Sequence, residues 1–328
     1  MAQFDLFDPK LAPRGIAVHM KTPFLENLRL DEVSYERTAR HSVDIGAAML
    51  LVGQRGTETL QLSEQERERS LEIALAAGHP RTPVLATATG AALADIVATA
   101  RRYAEMGADA LSVLPPSWTA SKQDNLTFLR AAAEAVSIPL FARCSDWGKT
   151  LSVEELAALP EEIPGVAYLK EESTDWVRRV RALRQLPGTE RYLGIMGGMI
   201  PPGIVLGYGA GARLFMCAAD ITEVLMAIFE ALEAGNLAEA RRIQQLVVPL
   251  SYFKSYVRGQ YDNKMTLHRR GLFDSPRVAL PAWNTGLQEL TEEEEEELTE
   301  VLRPLLPFFG KYPPRTIPNP LSERSCDR

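Results

Sequence analysis

Cysteine is scarce: Cys144, Cys217 and Cys326 are all there are in 328 residues. They are too few and too scattered for a disulfide framework or a thiolate zinc site, so a reducing compartment is expected. Histidine is scarce as well. His41 and His79 fall on helices or turns, His268 lies near the C-terminus, and His19 sits inside the first apolar run. None stands at a strand end in a cluster with carboxylates, which argues against a metal centre. No apolar run is long enough to span a bilayer. The opening "MAQFDLFDPKLAPRG" lacks a basic stretch followed by an apolar one, so no secretory signal is expected. Excess positive charge is missing too. A formal net charge of -7 makes no electrostatic case for nucleic acid or an anionic membrane as partner. Neither a P-loop nor a nucleophile elbow is present. Together these absences predict a cytoplasmic protein with no nucleic-acid, membrane or metal partner.

What is present is ordinary for a globular chain: 46% hydrophobic and 24% charged residues, ample for a sizeable core. One alternation repeats along it. Short apolar runs occur at "GIAVHM" (15–20), "AAMLLVG" (47–53), "PVLATAT" (83–89), "ALSVLP" (110–115), "PLFAR" (139–143), "VAYLK" (166–170), "RYLGIMG" (191–197) and "ARLFMCA" (212–218). Runs this short, without polar alternation, read as strands buried on both faces. Helical patterns lie between them at 63–78, 91–109, 122–137, 152–160 and 174–188. The first opens on Ser63 with glutamates in its first turn and ends on Gly78.

About eight strand–helix units predict an α/β fold of the (β/α)8 TIM-barrel type. A doubly wound open sheet is the alternative, but "HMKTPFLENLRL" is not the phosphate loop it would carry after its first strand. The expected division is a barrel over 1–233, a small appendage of C-terminal helices over 234–310, and an extended or disordered tail over 311–328. Within the appendage, Thr291 is placed to cap a helix whose acidic first turns suit the helix dipole.

A barrel of this kind carries its site at the C-terminal ends of the strands. The sixth run ends on Lys170, with Glu171 and Glu172 following. A lysine losing hydration there has a depressed pKa, and its free amine can condense with a ketone to a Schiff base. The plainer reading is a rim ion pair with one of the glutamates, and position alone leaves the two open. Arg143 either binds a substrate carboxylate or pairs with Asp146. Trp118 reads as a subunit contact or a lid, Thr87 and Thr89 as barrel packing, and Cys144 as a small filler.

The order of motifs resembles the dihydrodipicolinate synthase / N-acetylneuraminate lyase family of Schiff-base lyases. The resemblance rests on Gly15, Ile16, Thr22, Pro23 and Phe24, on "LQLSEQERE", on "MGADALSVLPP", on "IPLFAR", and on Val166 and Lys170 spaced as Val-x-x-x-Lys. It implies a class I lyase that needs no cofactor, takes a small-molecule 2-keto acid, and forms a homo-oligomer, a dimer or tetramer. It implies that Lys170 is the nucleophile. Counted back from Leu62 and Ser63, Glu58 takes the place of the family glutamate, with Gly56 and Thr57 holding the substrate carboxylate.

The sequence departs from the family where it reads "GQRGTETLQLS" instead of a GTTGE-type loop, with Arg55 at a usual threonine. It departs again where Arg143 and Cys144 replace a Tyr-Asn pair, and Lys149 is the nearest match to a dicarboxylate-binding arginine. The dehydratases of 2-keto-3-deoxy sugar acids also lack that tyrosine. They carry Lys-x-Glu after strand six and Gly-Gly after strand seven, as in Lys170–Glu172 and Gly197–Gly198 here. The resemblance therefore implies dehydration of a 2-keto-3-deoxy sugar acid. Glu172, on the same strand face as Lys170, would move protons with a raised pKa, and Glu171, on the opposite face, would be nearly silent when changed to Gln. The alternatives are a retro-aldolase releasing pyruvate and a catalytically silent barrel that binds a keto acid.

Overall fold

In the computed structural model, residues 2–114, 121–144, 151–198, 203–257, 261–279 and 290–310 are described. Trp118, Asp146, Lys149 and the tail from 311 lie outside them. Each apolar run becomes a parallel strand: β1 Gly15–His19, β2 Met49–Val52, β3 Val84–Thr89, β4 Ala110–Leu114, β5 Leu140–Cys144, β6 Val166–Glu171, β7 Gly194–Gly197 and β8 Leu214–Ala218. They hydrogen-bond in chain order, and β8 returns to β1. That closure excludes an open sheet, which would leave two edges unpaired.

The surrounding helices are α1 Glu32–Asp44, α2 Glu64–Gly78, α3 Leu93–Met106, α4 Lys122–Ala135, α5 Val153–Glu162, α6 Trp176–Leu183, α7 Ile204–Ala210 and α8 Thr222–Glu233. Beyond the barrel come α9 Leu237–Val257, α10 Tyr261–Arg269 and α11 Glu292–Leu302. The predicted caps form: Ser63 exchanges hydrogen bonds with Glu66 in a capping box, and Thr291 does so with Glu294. No helix among the described residues is long and apolar enough to cross a membrane.

Outward-facing strand residues join the helices in one apolar cluster. Inward-facing ones, including Ala17, Leu51, Leu85 and Phe141, fill the barrel interior. The floor is closed from below by the N-terminal segment. Leu6 packs into the inner cluster, its carbonyl accepts the Tyr168 hydroxyl at 2.7 Å, and the Gln3 and Phe4 amides donate to Asp109. Access is left to the opposite end, at the C-terminal ends of the strands.

One irregularity aims the site. Leu140 pairs with Val166, but Phe141 pairs with Tyr168, so β6 carries one extra residue, Ala167. Val166 belongs to the outer cluster, whereas Ala167 and Tyr168 both belong to the inner one. A one-residue bulge inverts the facing of everything after it. Lys170 and Glu172 thereby turn into the barrel, and the stacked rings of Phe141 and Tyr168, 4.3 Å apart, fill the layer beneath.

The C-terminal helices lock onto the mouth through charge. Arg270, fully buried, donates to the carbonyls of Ala219 and Asp220 and pairs with Glu223, which also holds His41 at 3.0 Å. Lys254 pairs with Asp220 just after β8, and Lys264 pairs with Glu58 from the loop after β2.

Candidate active site

Lys170 ends β6 with its side chain only 4% exposed. Its Nζ donates to Gln54 Oε1 at 2.7 Å and lies 3.2 Å from Glu172 Oε1. The other Glu172 oxygen accepts from Arg143 Nε at 2.5 Å. Arg143 and Lys170 are register partners on β5 and β6, so the two cations flank one carboxylate at the mouth. Burial lowers the Lys170 pKa to about 8. The charge of Glu172 opposes the shift and that of Arg143 adds to it. Free amine is therefore present near neutral pH, as the position at a strand end predicted.

Glu172 is different from expectation. Burial pushes its carboxyl up, but Lys170 and Arg143 outweigh burial and hold it below the ordinary carboxylate range. The predicted raised pKa is corrected: the sequence does not reveal that two cations converge on this one carboxylate. Glu172 stays ionised, which makes it a counter-ion more than a proton reservoir.

Glu58 leaves the cluster altogether. It sits in the left-handed region at φ 61°, and its carboxylate pairs with Lys264 and accepts the Ala279 amide at 3.0 Å. The ammonium of Lys264, buried and 4.4 Å over the Phe24 ring, needs that counter-charge. Thr57 is also committed. Its hydroxyl and its amide both donate to the Gln54 carbonyl, at 2.7 and 2.9 Å. Gly56 offers its carbonyl to Lys21 Nζ at 2.8 Å. In this geometry the loop hydroxyl expected to grip a carboxylate is turned inward.

Gly197 and Gly198 have a steric reason. A Cβ on Gly198 would overlap the Glu172 side chain, and one on Gly197 would stand 2.6 Å from the Trp176 ring. Gly198 makes room for Glu172, so Gly198→Ala is expected to push the carboxylate off Lys170. Loss of the wild-type pH dependence of amine reactivity, measured by borohydride trapping, checks it.

Gln54 was not found by sequence reasoning. Strand alternation turns Met49 and Leu51 inward and would turn residue 54 outward. Gly53, at φ 76°, breaks that alternation and redirects Gln54 over the barrel axis. Its Nε2 donates to Thr87 Oγ1 at 2.7 Å, and Thr87 lies 3.0 Å from Ser112 Oγ. A polar amide after a strand-end glycine was the signal available. Thr87 is thus part of a polar relay beneath Lys170. Cys144, whose thiol burial pushes up to about 11, is unreactive packing.

Glu171 points outward as alternation requires, but it is not idle. It is buried, accepts from Ser173 N at 3.0 Å, and pairs with Arg179 at 3.2 Å. Arg179 also reaches the Leu151 carbonyl at 2.5 Å. The alternation that removes Glu171 from the mouth buries it in a structural ion pair, so Glu171→Gln is expected to be nearly silent in turnover while carrying a cost in stability.

Comparison with known proteins agrees with this architecture. The sequence profile of the Dihydrodipicolinate synthetase family matches residues 12–304. A 4-hydroxy-tetrahydrodipicolinate synthase from Hyphomonas neptunium is 30% identical over 266 residues, covering 79% of this chain and 89% of that protein. An L-2-keto-3-deoxyarabonate dehydratase from Azospirillum brasilense is 24% identical over 304 residues, covering 91% and 96%. Among solved structures, the dihydrodipicolinate synthase of Aquifex aeolicus superposes with a TM-score of 0.80 at 21% identity, over 92% of this chain and all of that one. A prophage protein of the same family from E. coli K12, in complex with pyruvate, gives 0.78 at 18% identity, over 89% and 98%. At these identities the two structures attest the fold.

Proposed function

Since the chain belongs to the dihydrodipicolinate synthetase family, and is a lyase as its members are, we propose that it dehydrates a 2-keto-3-deoxy sugar acid through a Schiff base on Lys170. The observation that carries this reading is a buried strand-end amine lowered to about 8, held between Gln54 and Glu172. The dehydratase relative, similar over 91% of this chain, supports the choice within the family. So does Arg143 at the strand-five position where a tyrosine would serve aldol chemistry.

The chemistry follows from these groups. The Lys170 amine adds to the C2 carbonyl and water leaves, forming an iminium. The iminium makes the C3 hydrogens acidic, and loss of one gives an enamine. The enamine expels the C4 hydroxyl as water, and hydrolysis of the iminium returns the free amine. Glu172 keeps Lys170 oriented and offsets part of the positive charge. Arg143 is fitted to grip the substrate carboxylate with its fork. We further propose that Gly197 and Gly198 preserve the space that Glu172 and the substrate share, and that the protein works as a homo-oligomer.

The test is a panel of 2-keto-3-deoxy sugar acids, with borohydride trapping read by intact mass and products read by chromatography. Trapping with loss of water supports the reading. Stoichiometric pyruvate release makes the protein a retro-aldolase, and no adduct with any acid makes it a silent binder.

Trapping needs the unprotonated amine, so its rate is expected to rise with pH and level off above about 8. Glu172 raises the Lys170 pKa by its charge, so Glu172→Gln is expected to move that midpoint to lower pH. A shift to higher pH would contradict the counter-ion role. Arg143→Lys is expected to raise KM more than it lowers kcat, because a uniform grip on the carboxylate is lost. Steady-state kinetics at pH 7 decide it, and a collapsed kcat at unchanged KM would move Arg143 into the chemistry.

A further inference from the structure

The reaction proposed above leaves one task unassigned: a group must take a proton from C3 and deliver one to the departing hydroxyl. Both carboxylate oxygens of Glu172 are engaged, one by Lys170 and one by Arg143, and the two cations make it a weak base. Glu58 is turned onto Lys264. The Thr87 hydroxyl accepts from Gln54 and is bonded to the hydroxyl of Ser112. Lys21 is bound to the Gly56 carbonyl.

Among the described residues, one further inward-facing group stands out for lacking a partner. His19 is the last residue of β1, level with Leu51 of β2 and Ala218 of β8. Ala17, two residues before it, belongs to the inner cluster, so alternation points the His19 side chain into the barrel. Its Nε2 is shielded from solvent and has no hydrogen-bond partner. A buried imidazole nitrogen without a partner costs stability and calls for a reason.

We propose that His19 is a catalytic residue: its Nε2 removes the C3 proton from the Lys170 iminium and hands it to the leaving C4 hydroxyl. The inference rests on the Schiff-base reading. In the first half-step the C3–H bond breaks, its electron pair forms the C2–C3 double bond, and the iminium nitrogen takes up the displaced pair while His19 becomes imidazolium. In the second, the nitrogen pair returns, C3–C4 becomes a double bond, and the C4–O bond breaks toward oxygen. The imidazolium proton goes to that oxygen, water leaves, and His19 is neutral again. No oxidant or further reactant is needed.

The surroundings suit this cycle. The strands flanking His19 present Leu51 and Ala218, which are apolar. Burial, then the charges of Lys21, Lys170 and Lys254, hold the ring neutral in the resting site and weaken it as a base, so the step draws on the negative charge that the substrate carboxylate brings. The two anions on this side, Glu172 and Asp220, are each paired with one of those lysines. A bound substrate carboxylate would add negative charge to the mouth and ease formation of the imidazolium.

Exchange of pyruvate methyl protons for solvent deuterium, followed by proton NMR, isolates the first half-step and needs no sugar acid. The wild-type protein is expected to exchange them, and His19→Gln to do so on the order of 10²–10⁴ times more slowly, while still being trapped on Lys170 by borohydride and pyruvate. In His19→Gly, added imidazole is expected to restore part of the exchange, which a packing role would not allow. Wild-type exchange in His19→Gln overturns the proposal and leaves the Schiff-base reading standing. Loss of trapping together with exchange in His19→Gln makes His19 a packing residue and overturns it too. Absence of trapping in the wild-type protein removes the Schiff-base reading itself.

Discussion

Lys170→Ala is expected to abolish both borohydride trapping and turnover, the latter by ~10⁴-fold or more, while the protein stays folded. The amine is the electrophile-forming group; Lys264, also buried and lowered to about 8, is paired instead with Glu58. Lys170 Nζ is buried, lowered to about 8, and shared between the Gln54 amide oxygen and Glu172. Alanine removes a cation whose burial costs desolvation energy, and Glu172 keeps Arg143 as its partner. The fold should therefore survive, and an unchanged thermal midpoint is the control. If the variant still forms a reducible adduct with a 2-keto acid, the nucleophile is another lysine. Lys21 would be the next to change, being buried at the end of the first strand with its Nζ on the Gly56 carbonyl.

Arg179→Met is expected to destabilise the protein by about 3 kcal/mol, with the same behaviour toward keto acids in whatever remains folded. The guanidinium is one side of an ion pair whose other side, Glu171, is only 1% exposed. Removing it strands a carboxylate that burial does not tolerate, and also takes away the donor on the Leu151 carbonyl. Glu171→Gln should cost less, because Arg179, at 15% exposure, can turn toward water. Urea unfolding followed by fluorescence measures both. A midpoint for Arg179→Met within error of wild type would mean that the pair contributes nothing. That order, Arg179→Met worse than Glu171→Gln, separates a structural pair from a catalytic one.

The sequence by itself determined the barrel. Strands buried on both faces cannot alternate, so β1 to β8 announce themselves as short apolar runs. Ser63 and Thr291 marked helix starts because capping is a local hydrogen bond between near neighbours. Three barrel helices, α1, α7 and α8, were not read from spacing; α7, at 7 residues, is too short to show a period. Lys170 was legible because a lysine ending a buried run is costly unless it acts or pairs.

The tertiary structure decided which polar groups meet. The extra residue at Ala167 turns Lys170 and Glu172 inward, and Gly53 turns Gln54 over them. Glu58 departs to Lys264, which lies 206 residues further along the chain. Glu172 is ionised because Arg143 from another strand joins Lys170 beside it. His19 is set apart by the lack of a partner, which no local pattern records. Periodicity and capping act between near neighbours and survive in one dimension. Charge pairing and desolvation depend on distances across the barrel, which exist only once β8 has closed on β1.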